Sequence, residues 1–117
     1  MIQELIQSQN NFFESQQTKD VDFRKKHLKL LYQEIQRQED AICEAIYADF
    51  QKPKFESLGT ETQLVLAELK YAIKKLKSWS EPKRVPSTLI NFPSKEWIQY
   101  EPFGKVLIIS PWNYPFM

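Results

Sequence analysis

Glycine is nearly missing from this sequence, with two residues in 117. No G-x-G-x-x-G loop can be written from it, so a pyrophosphate cannot rest against bare backbone in the usual dinucleotide-binding manner. A single cysteine excludes an internal disulfide and agrees with a reducing compartment. The single histidine, His27, makes no metal site alone and is expected to face solvent in a lysine-rich stretch. The net charge of +1 nominates neither nucleic acid nor an anionic membrane as partner. No apolar run approaches the roughly 20 residues needed to span a bilayer. The opening MIQELIQSQNNFF lacks the basic start and apolar core of a signal peptide. A cytoplasmic protein with no bound metal is the expectation these absences leave.

What is present is globular in character. Apolar residues make up 42% and charged residues 26%, too apolar for a disordered chain. The length fits one small domain or a piece of a larger one. Six of the seven prolines lie from Pro82 onward, which marks a change from helix to loop and strand.

Four helices are expected over about residues 2–79. Ile2, Leu5, Ile6 and Phe13 give the first its apolar spacing. Asp20 or Asp22 caps the second, which carries Leu28, Leu31, Tyr32 and Ile35. The third starts near Glu39-Asp40, carries the row Ile42, Ile46, Phe50 with Cys43 and Tyr47 beside it, and ends at Pro53. Its acidic start and the Lys52-Pro53-Lys54 beyond its end suit the helix dipole. The fourth runs from about Ser57 to Trp79 on a 3.6-residue period through Leu58, Thr62, Val65, Leu66, Leu69, Ala72, Ile73 and Leu76. Gly59 weakens its start by about 1 kcal/mol relative to alanine. The basic group Lys70, Lys74, Lys75, Lys77, Lys83 and Arg84 reads as a solvated surface.

Residues 80–94 are expected as an ordered crossing loop that buries Leu89, Ile90 and Phe92. A strand comes next at about 95–101, then a type I turn with Pro102 second and Gly104 fourth. Val106-Leu107-Ile108-Ile109, within a strand at 105–110, has no polar alternation, the pattern of burial on both faces in a parallel sheet. It leads into the loop Ser110-Pro111-Trp112-Asn113-Tyr114-Pro115. A buried strand opening into a polar loop is a common ligand-site arrangement in α/β folds. An apolar strand with no partner is a costly sheet edge. The chain is therefore expected to be the front part of a longer polypeptide, the alternative being a complete helical domain with a frayed tail.

At EPFGKVLIISPWNYPF the sequence resembles the N-terminal part of an aldehyde dehydrogenase of the class 3 and fatty-aldehyde type. The likeness extends back through Ala45-Ile46-Tyr47-Ala48-Asp49-Phe50-Gln51-Lys52 and the leucine-spaced helix after Phe23-Arg24. It implies an α/β, Rossmann-like fold represented by the front of its NAD(P)-binding domain, with the catalytic domain absent. It implies that residues 95–101 join a dimer-contact hairpin and that 105–110 begin the nucleotide-binding sheet. In the family a cysteine attacks the aldehyde, hydride passes to NAD or NADP, and a glutamate activates water to release a carboxylate. Asn113 matches the residue whose amide faces the oxyanion. Ile109, Ser110, Pro111 and Trp112 match cofactor neighbours, and Tyr114 a residue bordering the substrate channel. The family's nucleophile would lie beyond Met117, and the 117 residues alone are expected to be inactive.

Plainer readings stand beside these. Asn113 suits a turn for its backbone tolerance alone, and Trp112 and Tyr114 suit a core. Cys43 lies beside an apolar row mid-helix, the setting of a buried thiol and not of a nucleophile. A non-enzymatic helical interaction module is the alternative function.

Overall fold

Asp20 starts the helix on which the others pack. Its carboxylate accepts from the Phe23 N–H and caps α2 (Val21–Arg37), satisfying one of the amides a helix start leaves bare. Asp22 lies in the first turn instead. The computed structural model describes residues 1–117. Before α2 comes α1 (Ile2–Glu14), joined by a 3-10 turn at Gln17–Lys19. No residue of α1 is buried. It touches the body through Phe12, 6.1 Å from the Phe23 ring, and through Phe13, whose ring lies 3.4 Å from where a Cβ on Gly104 would stand. Gly104 has φ +88°, a left-handed backbone that favours glycine, while the Phe13 ring would meet a Cβ there at ordinary contact distance.

α2 packs along α5 (Gln63–Ser80). Arg24 fastens the crossing by donating to the Lys19 carbonyl at 3.1 Å and the Ser80 hydroxyl at 3.2 Å. α3 (Glu39–Phe50) begins after a single residue beyond α2. Ile35, Cys43, Ile46 and Leu66 are the buried apolar side chains, drawn from α2, α3 and α5.

Three expectations about the helices need correction. α3 stops at Phe50, where Gln51 turns left-handed at φ 59°. Pro53 does not end it but caps α4 (Lys54–Ser57), its fixed φ suiting a helix entry. Lys52 and Lys54 do not serve the α3 dipole either. Lys54 reaches Asp40 in the first turn of α3 at 2.7 Å, a hydrogen-bonded pair that raises the Lys54 pKa, and Lys52 is buried. The fourth helical rod is also not uniform. α4 passes into a π turn at Leu58–Thr62 before α5 begins. A π turn holds one residue more than an α turn and recurs at functional sites. The extra residue rotates the faces of α5 by about 100°, one residue's share of a 3.6-residue turn. Both Glu61 and Thr62 point inward.

Past Ser80 the pairing differs from the expectation. β1 (Lys83–Val85) pairs antiparallel with β2 (Glu96–Ile98), Arg84 facing Trp97. Residues 80–94 therefore hold a strand, and the segment joining it to β2 contains the 3-10 turn Leu89–Asn91 and the cis Phe92–Pro93 bond. Leu89, Ile90 and Phe92 are exposed, not buried. A thin ribbon of two three-residue strands has little to cover, so its sequence shows no alternation. The Glu101–Gly104 segment makes no closing hydrogen bond of a type I turn. Val106 to Ile109 are exposed and pair with nothing in this chain.

The radius of gyration is 19.5 Å, against about 13 Å for a compact chain of this length. Only 8 of 117 residues are buried, so most of the apolar surface built here is uncovered. No helix is long and apolar enough to cross a membrane.

Candidate functional site

The loop from Pro111 to Phe116 is short of free donors. Pro111 and Pro115 have no N–H. The Tyr114 N–H donates to the Pro111 carbonyl at 3.3 Å, closing a turn with Trp112 and Asn113 at its centre. The Phe116 N–H donates to Glu61 Oε2 at 2.8 Å. Every backbone polar group needs a partner when it leaves water. Among the loop's amide donors, those left unengaged are the Trp112 and Asn113 N–H groups and the Asn113 carboxamide, all on one exposed turn. Neutral donors such as these suit an anionic oxygen that appears during a reaction, provided they are held in place.

The loop is anchored from beneath. Glu61 and Lys52 are both buried, and Lys52 Nζ lies 2.7 Å from Glu61 Oε1. The same carboxylate thus holds the ammonium with one oxygen and the loop amide with the other. Lys52 Nζ also stands 4.3 Å from the centre of the Tyr114 ring, within cation–π range, and 5.9 Å from that of Phe50. Burying two charges is costly unless the pair is close and further contacts offset the lost water, and here the Phe116 N–H donates to the second carboxylate oxygen while the Tyr114 ring lies by the ammonium. The π turn delivers Glu61 to this spot. Beside it, Thr62 donates to Glu39 at 2.8 Å, tying the π turn to the start of α3.

The sequence points to this loop but not to its support. Lys52 reads there as a dipole partner, and Glu61 has no role. One signal is present: Glu61 is three residues after Leu58 and four before Val65, so an acid stands in the apolar stripe of the helix. Tyr114 is half-buried on Lys52, whereas Ile109, Ser110, Pro111 and Trp112 form a continuous exposed run leading into the Asn113 turn. His27 is exposed, its ring centroid 4.2 Å from that of Phe23. Lys70, Lys74 and Lys77 lie along α5, and Lys83 sits 5.3 Å from the Tyr100 ring centre.

Cys43 is buried, 1% exposed. Burial pushes its thiol pKa up, and the neighbouring Glu39 adds to the shift. A nucleophilic cysteine needs the opposite, a thiolate favoured by positive surroundings. Because the folded value is raised, the contribution to stability is full below the ordinary thiol pKa of about 8.5 and is lost as pH rises through the folded value. Cys43→Ala is therefore expected to flatten the loss of stability in alkaline solution, measured as denaturation midpoints across pH 7 to about 10. An unchanged alkaline slope would show that the thiol does not titrate from a buried state.

The family model described as "Aldehyde dehydrogenase family" matches residues 1–117. The chain is 45% identical over 116 residues to the 4,4'-diaponeurosporen-aldehyde dehydrogenase of Staphylococcus aureus, covering 99% of this chain and 25% of that one. It is 36% identical to aldehyde dehydrogenase family 3 member I1, chloroplastic, of Arabidopsis thaliana, over 97% of this chain and 20% of the relative. A dimeric NADP-preferring aldehyde dehydrogenase of Canis lupus familiaris is 36% identical over 98% of this chain and 25% of its own. A solved structure, the substrate-bound state of Staphylococcus aureus AldH, superposes with a TM-score of 0.95 at 45% identity, over 99% of this chain and 25% of that one. The chain thus spans at most about a quarter of the length of these relatives.

Proposed function

The chain belongs to the aldehyde dehydrogenase family, and from that membership we propose that the whole protein oxidises an aldehyde to a carboxylic acid, with NAD or NADP taking up the hydride. The observation that carries the reading is the Asn113 turn, whose carboxamide and two backbone N–H groups are unengaged while every other amide of the loop is absent or bonded.

In this reading, attack of a thiolate on the aldehyde carbon turns the carbonyl oxygen into an oxyanion. The Asn113 amide donates to that oxygen. A neutral amide suits this role because it is in place before charge develops and does not perturb the attacking thiolate, whereas an aspartate would repel the product of attack. One such donor is worth about 2.7–4 kcal/mol in the transition state. The attacking thiolate does not come from Cys43, which is buried and disfavours ionisation.

The residues assigned to the cofactor fit a flat ring with a polar edge. Ile109 and Trp112 offer exposed apolar faces, and the Ile109 and Ser110 backbone groups make no bond within the chain. Ile109, Ser110, Pro111 and Trp112 would hold it by those faces and by main-chain contacts. When bound, the cofactor supplies the acceptor for the hydride leaving the former carbonyl carbon. Tyr114 borders the aldehyde's path in this reading. We assign the whole protein as a cytoplasmic homodimer; the name of the canine relative, dimeric, and the single buried thiol support that assignment.

The test is aldehyde-dependent formation of NADH or NADPH by the whole protein across short-chain, long-chain and aromatic aldehydes. Reduction with at least one aldehyde is expected. No reduction with any aldehyde and either cofactor would end the reading and favour a non-enzymatic helical module.

A further inference from the structure

We propose that Glu61 is a positioning residue for the oxyanion donor, acting through Phe116 and with Lys52 as its counter-charge. The inference rests on the role given to Asn113 above and extends it to residues that touch neither substrate nor cofactor. Three observations converge. Glu61 is fully buried, and its two oxygens divide between two partners, Lys52 Nζ at 2.7 Å and the Phe116 N–H at 2.8 Å. Lys52 closes the triangle by lying 4.3 Å from the Tyr114 ring centre. Tyr114 and Phe116 come one and three residues after Asn113, so both anchors fall just beyond the donor. The turn is closed on its other side by the bond from Tyr114 to Pro111.

The geometry explains why an ion pair stands where an apolar pair would pack more simply. A buried ion pair is seldom a net gain in stability over apolar side chains of the same size. What it offers is direction. A carboxylate presents two acceptors in a fixed plane, and charge-assisted bonds are short and strong. The π turn at Leu58–Thr62 serves this arrangement by turning Glu61 inward beside Thr62. The loop residues are otherwise poorly held, because Trp112 and Asn113 are exposed and Pro111 and Pro115 cannot donate. Without Glu61 the Phe116 end would be fixed by packing alone. A misplacement of about 1 Å in a catalytic group costs up to about 10²-fold in rate.

Glu61→Asp separates positioning from folding. The charge stays opposite Lys52, but the side chain is one methylene shorter and cannot hold both Lys52 and Phe116. In the whole protein, kcat is expected to fall about 10- to 100-fold with cofactor Kd unchanged and the thermal transition still cooperative. Deuterium uptake in the peptide spanning Pro111–Met117 should speed up. In an Asn113→Ala background, Glu61→Asp should change kcat by less than about threefold, because coupled residues are not additive. If Asn113→Ala is slow and Glu61→Asp turns over like wild type, or if the two effects multiply, the positioning role is wrong and the oxyanion role stands. If Asn113→Ala itself turns over like wild type, both fall.

Discussion

Lys52→Met is expected to lower the stability of the whole protein by about 3–5 kcal/mol, the cost of leaving one partner of a buried ion pair uncompensated. Lys52 is 5% exposed and Glu61 is completely covered, so no water can take the place of the lost ammonium. The carboxylate would keep only the Phe116 N–H. Against a typical total of about 5–15 kcal/mol, that loss is severe. A second substitution should recover most of it. In Lys52→Met/Glu61→Gln no charge is buried, and the glutamine oxygen can still accept from Phe116. Denaturant midpoints for the two variants and wild type decide the matter. A midpoint for Lys52→Met equal to that of wild type would mean that the pair is not buried in the whole protein. A double variant as unstable as the single one would mean that the loss is one of packing around the lysine stem.

Asn113→Ala is expected to reduce kcat by about 10²–10³-fold, the cost of removing one preorganised donor from an oxyanion site. Cofactor affinity should be nearly unchanged, since the residues assigned to the cofactor precede Asn113 and keep their side chains. The fold should also be unchanged, because the carboxamide makes no hydrogen bond within the chain and the turn is closed by Tyr114 and Pro111 backbone groups. This pattern separates the catalytic role from the turn-residue reading. A residue kept only for its backbone tolerance would show its loss in stability and leave the rate of a folded enzyme intact. Asn113→Asp is the sharper control. It is nearly isosteric, but a carboxylate repels the oxyanion, so it should be at least as slow as alanine.

Much of the helical half is legible in the sequence because the apolar residues of α2 and α3 repeat at three and four and Asp20 stands at a helix start. The interruption of the fourth helix is not. The π turn lies at Leu58–Thr62, at the very start of the periodic stretch, so the apolar positions from Val65 onward keep an unbroken helical period, and only Gly59 and the acid at Glu61 mark the turn. β1 escapes a reading of pattern because Lys83-Arg84-Val85 is short and mostly exposed, with nothing for alternation to record. The Val106–Ile109 run reads as a buried strand, yet it has no partner among these residues, because burial on both faces needs neighbours on both sides.

The site divides in the same way. Asn113 and its flanking residues stand out because the loop carries a distinctive string of large residues around one amide. Lys52 and Glu61 lie nine residues apart and far from the loop in sequence, and charged side chains are usually solvated. Only the fold brings them under Tyr114 and Phe116.

In the proposed mechanism Asn113 stabilises charge during the chemical step. Single-turnover formation of NADH or NADPH, with enzyme in excess over aldehyde and cofactor saturating, isolates that step from product release. Asn113→Ala is predicted to slow the single turnover by about 10²-fold or more while the cofactor Kd, measured on the same preparations, stays within about twofold of wild type. Equal single-turnover rates in the variant and the wild type would contradict the account.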